Sequence, residues 1–287
     1  MKNYIEIRKS LEKLYDRHQH DIASDPIQFP RRYKYKKDQE LVAFVSAMYA
    51  FGHVKVIFRT LENICRFFGA HPHQRVMELD CKESFVFLTH RWVKPADTIS
   101  MFRLLQNILT QFGTLEKYFM QFYDSKDETI ERSLNGWLHD MKTRLRQIQK
   151  AELSHGQKFL LASPDGGSTS KRAVMFLRWM VRTGDPDLGL WKKIPSSKLM
   201  MPLDAHLFRF SQYFGFTKQK QPGWKSVEES TMHFRKVCSE DPVRYDFALA
   251  RLGILGLCEH HVSHKCLSCM MQQHCGLFHD QKIGKKS

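Results

Sequence analysis

Cys258, Cys266, Cys269 and Cys275 follow the pattern C-x7-C-x2-C-x5-C near the end of the 287-residue chain. Four thiols in so short a stretch must converge on something, and a soft four-sulfur set suits either an iron–sulfur cluster or zinc. Disulfides are the poorer explanation, because they are rare in cytosolic proteins and the segment Met1–His20 is charged and lacks the apolar run of a secretory signal. No stretch reaches the roughly 18 apolar residues of a membrane-spanning helix. A cytoplasmic protein with no membrane partner is expected, associated with the nucleoid if bacterial. Cys65, Cys81 and Cys238 lie apart in helix-like contexts and read as buried small hydrophobes.

Glycine (15) and proline (10) are sparse and the apolar residues recur at helical spacing, which favours an all-α fold. The net charge of +15 suggests a polyanionic partner, most often nucleic acid, although a merely basic protein is about as good a reading of charge alone. An amphipathic helix is expected over residues 1–22, with Ile5, Leu11, Leu14 and Tyr15 on its apolar face. Arg31, Arg32, Lys34, Lys36 and Lys37 then interleave with Tyr33 and Tyr35. Such a stretch is either a solvated connector or an arm whose cations meet phosphates.

Asp38 is placed to N-cap a helix over 41–51 that is apolar nearly all round and therefore central. Further helices are expected at 54–68, 75–79, 82–89, 96–112, 115–123, 130–151, 155–162, 171–182, 205–214, 226–238 and 243–257. Asp241-Pro242 would supply the cap and first-turn proline of the last. The stretch from Ser163 to Ser170 is the most turn-rich of the chain, so 155–182 reads as a helix-hairpin-helix. Its turn, with Gly166, Gly167 and Ser168, would present backbone N–H groups to a phosphate without base specificity. Lys171 and Arg172 open the second helix, where cations oppose the macrodipole and so do not serve helix stability. Asp204 precedes another helix. It reads as an ordinary N-cap or as a catalytic carboxylate held beside a cleft.

Taken together, the segment Gly166 to Ala173, the segment Asp204-Ala205-His206-Leu207-Phe208-Arg209 and the four-cysteine loop resemble the helix-hairpin-helix DNA glycosylases of the endonuclease III type. Leu41 to Leu61 is similar to that family's first barrel helix, so the likeness covers most of the chain. It implies a two-lobed all-α fold: a helical barrel over 38–182, and a second lobe from 1–37 plus 183–287 carrying a [4Fe–4S] cluster on Cys258, Cys266, Cys269 and Cys275. There are departures. The first cysteine gap is seven residues rather than six, and Thr169 replaces the hairpin's second glycine. Met48 stands where a gap-filling glutamine would be. Lys171 and Asp204 are 33 positions apart, roughly twice the family's compact spacing, and the insert from about Thr183 to Met200 is expected to rim the pocket.

The resemblance further implies base excision by a monomer acting on damaged duplex DNA. The nucleotide is extruded into a pocket. Lys171 attacks C1′, a Schiff base forms and the strand is nicked, giving glycosylase and AP lyase activity. Asp204 stays ionised to stabilise the cationic sugar. Gly166, Gly167, Ser168, Arg172, Arg31, Arg32, Lys34, Lys36 and Lys37 would contact DNA, and Arg172 would help to lower the pKa of Lys171. Two rivals remain: a non-catalytic nucleic-acid-binding protein on the same fold, and a zinc-stabilised interaction protein using His260, His261, His264 or His274 as alternative ligands.

Overall fold

The computed structural model describes residues 2–80 and 88–283. The helix expected over 82–89 and Cys81 therefore lie, but for Leu88 and Thr89, outside the described residues. Among the described residues the chain is helical, and its only β pairing is one isolated bridge between His90 and Val93. The helices are α1 Tyr4–His18, α2 Lys36–Tyr49, α3 Val54–Phe68, α4 Pro72–Met77, α5 Pro95–Phe112, α6 Leu115–Phe119, α7 Glu131–Gln149, α8 His155–Leu160, α9 Lys171–Val181, α10 Ala205–Tyr213, α11 Trp224–Val237, α12 Asp246–Ile254 and α13 Gly276–Ile283.

The core is organised around α2, in which every residue from Leu41 to Tyr49 is buried. Phe44 meets Phe176 of α9 and Trp137 of α7 edge-on, with ring centroids 5.3 and 5.9 Å apart. Aromatic pairs of this kind add about 0.5–1.5 kcal/mol each beyond area burial. α2 packs on α9 and α4, and α5 packs on α4, α6, α7 and α8. A second group forms where α1 packs on α11 and α12, and α10 on α12. The two groups share one continuous apolar core.

Two caps differ from expectation. Asp38 lies inside the first turn of α2, and its carboxylate accepts from the backbone N of His73 at 2.7 Å, tying α2 to α4. Asp241 does not cap the last long helix, which begins at Asp246; its carboxylate is taken by Arg182 at 2.7 Å.

The insert after α9 is also corrected. None of residues 183–200 lines the cleft described below. The insert folds back along α9 instead: Leu188 and Gly189 donate to the Trp179 carbonyl and Trp191 to that of Met180. Trp191 is fully buried, 5.4 Å from Phe176, and its Nε1–H donates to Glu40 at 2.7 Å. Apolar burial of Trp191, Leu199, Met200 and Met201 draws this segment into the core rather than out over a pocket.

Candidate active site

The hairpin is built by short-range backbone geometry. A single 3-10 turn, Pro164–Gly166, ends on Gly167 at φ 76°, a left-handed conformation that favours glycine. Ser170, at φ 47°, precedes α9 and places no side-chain cap on it. Its hydroxyl donates instead to the Ala162 carbonyl at 3.0 Å, which closes the turn onto the end of α8. The Gly167 carbonyl accepts from the backbone N of Trp224 at 3.2 Å, so the start of α11 clamps the hairpin from one side. The other side is open, since a Cβ at Gly166 or Gly167 would meet nothing within 4 Å.

Asp204 N-caps α10. Its Oδ1 accepts from the backbone N of His206 and of Leu207, each at 2.9 Å. The structural reading of this aspartate is therefore correct as far as one oxygen goes. The other oxygen has no hydrogen-bond partner among the described residues.

Lys171 at the start of α9 and Asp204 at the start of α10 line one cleft of about 840 Å³. Phe51, His53, Phe159 and His206 line it too, as do Ser168, Thr169 and Ser170 of the hairpin. Its walls are largely apolar with a few convergent polar groups, the make-up of a ligand site. A family of unknown function, DUF2400, matches residues 25–255. The chain belongs to it. No curated protein and no solved structure matches the chain. The DUF2400 match takes in the hairpin, Lys171 and Asp204, and stops short of Cys258.

Sequence reasoning missed several parts of the DUF2400 cleft. His206 projects from the first turn of α10, and its Nδ1 lies 3.0 Å from Nε2 of His260. Its ring packs so closely on α12 that a Cβ at Gly253 would lie 2.1 Å from that Nδ1. Only the spacing Asp-x-His could have hinted at this. Behind α9, Arg178 joins Asp187 of the insert at 2.9 Å and Asp246 of α12, all three buried. Burial pushes the Asp246 carboxyl up to about 6 in spite of Arg178, and Asp204 adds to the rise while Lys171 opposes it. Asp246 thus senses both candidate catalytic groups from beneath.

Arg172 lines the cleft and is half-buried there. Its guanidinium stacks 3.8 Å from the ring centroid of Phe159 and 5.2 Å from that of Phe51, and donates to the Phe159 carbonyl. Met48 is fully buried, so the end of α2 presents Phe51 to the cleft rather than Met48. Trp92 is exposed beside this corner, 5.5 Å from Phe51, with Arg91 over its outer face at 4.3 Å.

The basic arm is not brought to the cleft. Arg31 pairs with Asp185 at 3.0 Å, and Arg32 grips Glu62 through two bonds of 2.7 and 2.9 Å. Lys34, Lys36 and Lys37 are exposed. They lie at the N-terminal end of α2, whereas the cleft takes Ala50 and Phe51 just beyond its other end. A 14-residue helix separates the two by about 20 Å.

Cys258, Cys266, Cys269 and Cys275 are free thiols around one small cavity, walled also by Phe210, Tyr213, Phe214 and Phe278. Burial pushes the thiols of Cys258, Cys269 and Cys275 up, and the neighbouring thiols add to it, with every pair among the four close enough to interact. Half-buried thiols so placed are a site for a group that would ionise them. Among the described residues no three His, Cys, Asp or Glu side chains converge as a single ion requires. Two of the four alternative histidines are engaged elsewhere, His260 with His206 and His274 with Ser10 at 3.1 Å, whereas His261 lines the thiol cavity. A ring of four thiols around an apolar-walled cavity fits an iron–sulfur cluster.

Proposed function

We propose that this DUF2400 chain is a DNA base-excision glycosylase with AP lyase activity. The observation that carries the reading is the shared cleft. Lys171 and Asp204, 33 positions apart, start two different helices and face one apolar-walled space beside an open hairpin. A nucleotide extruded from damaged DNA would enter that space. The Lys171 amine attacks C1′, and the base departs with the electron pair of the glycosidic bond. Asp204, with one carboxylate oxygen tied to its helix and the other unengaged, stabilises the cationic sugar and accepts the proton that Lys171 gives up.

The exposed hairpin backbone at Gly166 and Gly167 supports contact with a phosphate, and the net charge of +15 supports a polyanionic partner. Arg91 and Trp92 offer a cation and a stacking face beside the mouth. A [4Fe–4S] cluster on Cys258, Cys266, Cys269 and Cys275 would supply structural order to the loop that holds His260 against His206. The test is borohydride trapping on oligonucleotides carrying a panel of damaged bases and an abasic site. The wild type should form a covalent adduct that Lys171→Ala does not. No adduct on any substrate, abasic DNA included, would leave a nucleic-acid-binding protein without this chemistry.

A further inference from the structure

Resting on that reading, we propose that Arg172 is a further catalytic residue, which receives the negative charge that leaves with the excised base. It sits next to Lys171 and lines the same cleft. Its guanidinium is held between the rings of Phe159 and Phe51, and one donor is used on the Phe159 carbonyl. A guanidinium carries five N–H donors, so others remain for a ligand.

What sets Arg172 apart is the lack of a counter-charge. The fully buried arginines, less exposed than the half-buried Arg172, each have one: Arg178 pairs with Asp187 and Asp246, Arg182 with Asp187 and Asp241, and Arg251 with Asp25. Among the described residues no carboxylate pairs with Arg172, and burial alone pushes its pKa down to about 10. Nor does its place on the first turn of α9 help the helix, where a cation opposes the dipole. A partly desolvated cation without a partner raises the energy of the free protein, and the cost is recovered when negative charge appears opposite it. Such a charge develops only as the base departs, so the stabilisation falls on the transition state rather than on the bound substrate.

The step balances as follows. The lone pair on Lys171 Nζ forms a bond to C1′ while the C1′–N bond to the base breaks. That electron pair stays on the base, whose ring nitrogen or carbonyl oxygen accepts from Arg172 until water protonates it. Asp204 takes the proton from the Lys171 nitrogen. The chemistry favours bases with ring carbonyls, which spread negative charge onto oxygen, over amino-purines, which leave readily only after protonation.

The experiment compares wild type, Arg172→Gln and Arg172→Lys on oligonucleotides bearing uracil, 5-fluorouracil, 8-oxoguanine or an abasic site. Abasic DNA has no base to release, so trapping on it reports Lys171 and DNA binding without the departure of a base. Arg172→Gln should lose less on trapping of abasic DNA than on excision of uracil, whatever Arg172 adds to DNA contact or to the Lys171 pKa. It should excise uracil on the order of 10²-fold more slowly, with a smaller loss on 5-fluorouracil, whose ring carries negative charge more easily. Arg172→Lys, which keeps the charge, should recover part of the loss. If thermal melts show Arg172→Gln unfolded, Arg172→Met fills the same apolar corner without charge and takes its place. Equal losses on uracil and 5-fluorouracil would overturn the proposal, as would a wild type that traps abasic DNA yet excises none of the three bases. A wild type that fails to trap abasic DNA would instead sink the glycosylase reading itself.

Discussion

Gly253→Ala should destabilise the protein, although in an open helix the same change stabilises by about 0.5–1 kcal/mol. Gly253 is the penultimate residue of α12, and its φ is not left-handed. A Cβ there would lie 2.1 Å from Nδ1 of His206, 2.5 Å from its Cγ and 2.8 Å from its Cε1. The imidazole cannot simply retreat, because His260 holds Nδ1 at 3.0 Å and Asp204 holds the backbone N at 2.9 Å. Overpacking of this kind costs about 1–3 kcal/mol, and losing the His206–His260 bond costs about 1 more. Set against the helix gain, the net loss is roughly 1–3 kcal/mol. At roughly 2–4 °C per kcal/mol for a large chain, Tm should fall by about 2–12 °C, read by circular dichroism. In a His206→Ala background the clash is gone, and Gly253→Ala should become neutral or slightly stabilising, a coupling of about 2 kcal/mol across the cycle. A stabilised Gly253→Ala, or the same loss with and without His206, would refute the packing argument.

Asp204→Asn should lose turnover while changing stability by less than about 1 kcal/mol, since Asn caps about as well as Asp; retained turnover would leave Asp204 as a cap alone. Asp246, held up to about 6 by burial, stabilises the fold most below about pH 4, where both folded and unfolded forms are protonated, and that contribution is lost as pH rises past 6. Asp246→Asn should therefore flatten the urea-derived stability profile between those limits, removing a wild-type decline of at most roughly 3 kcal/mol; an unchanged slope counts against it. Cys275→Ser should lose iron and sulfide together after anaerobic purification, and stoichiometric zinc without iron in the wild type would contradict the cluster. The triple change Lys34→Ala, Lys36→Ala and Lys37→Ala should weaken duplex binding across all sequences and reduce the salt slope by up to about 2.7. An unaltered slope would mean that DNA does not reach that end of α2.

Where a helix is bounded by its own neighbours, the sequence is enough. α3 runs from Val54 to Phe68 as expected, because His53 caps it and Gly69, at φ 66°, ends it. The central position of α2 was legible in its all-round apolar surface. The misplaced caps share one cause: Asp38 and Asp241 are claimed by His73 N and by Arg182, partners distant in the chain. The insert reads as loop because Asp185-Pro186, Gly189 and Pro195 dominate it, yet Trp191 and the run Leu199 to Met201 carried the apolar signal of a buried segment. Lys171 and Asp204 could each be placed at a helix start. Their common cleft, and the turn of Arg172 onto Phe159, depend on packing between elements that no local pattern encodes.

The pairing of α1 with the far end of the chain sets a constraint on biosynthesis. Tyr4 bonds His233 at 2.7 Å, Ser10 bonds His274 at 3.1 Å, and Glu12 bonds Arg244 and Tyr245 at 2.9 and 2.6 Å. α1 therefore leaves the ribosome long before any of these partners exists, with Ile7, Leu11 and Leu14 still uncovered. Contacts this remote in sequence form late and slowly, and an apolar stripe waiting in the open is a target for aggregation and for chaperones. The helices from α2 to α9 can begin to assemble during synthesis, whereas α1 and the cysteine loop can lock together only once the loop itself has been made.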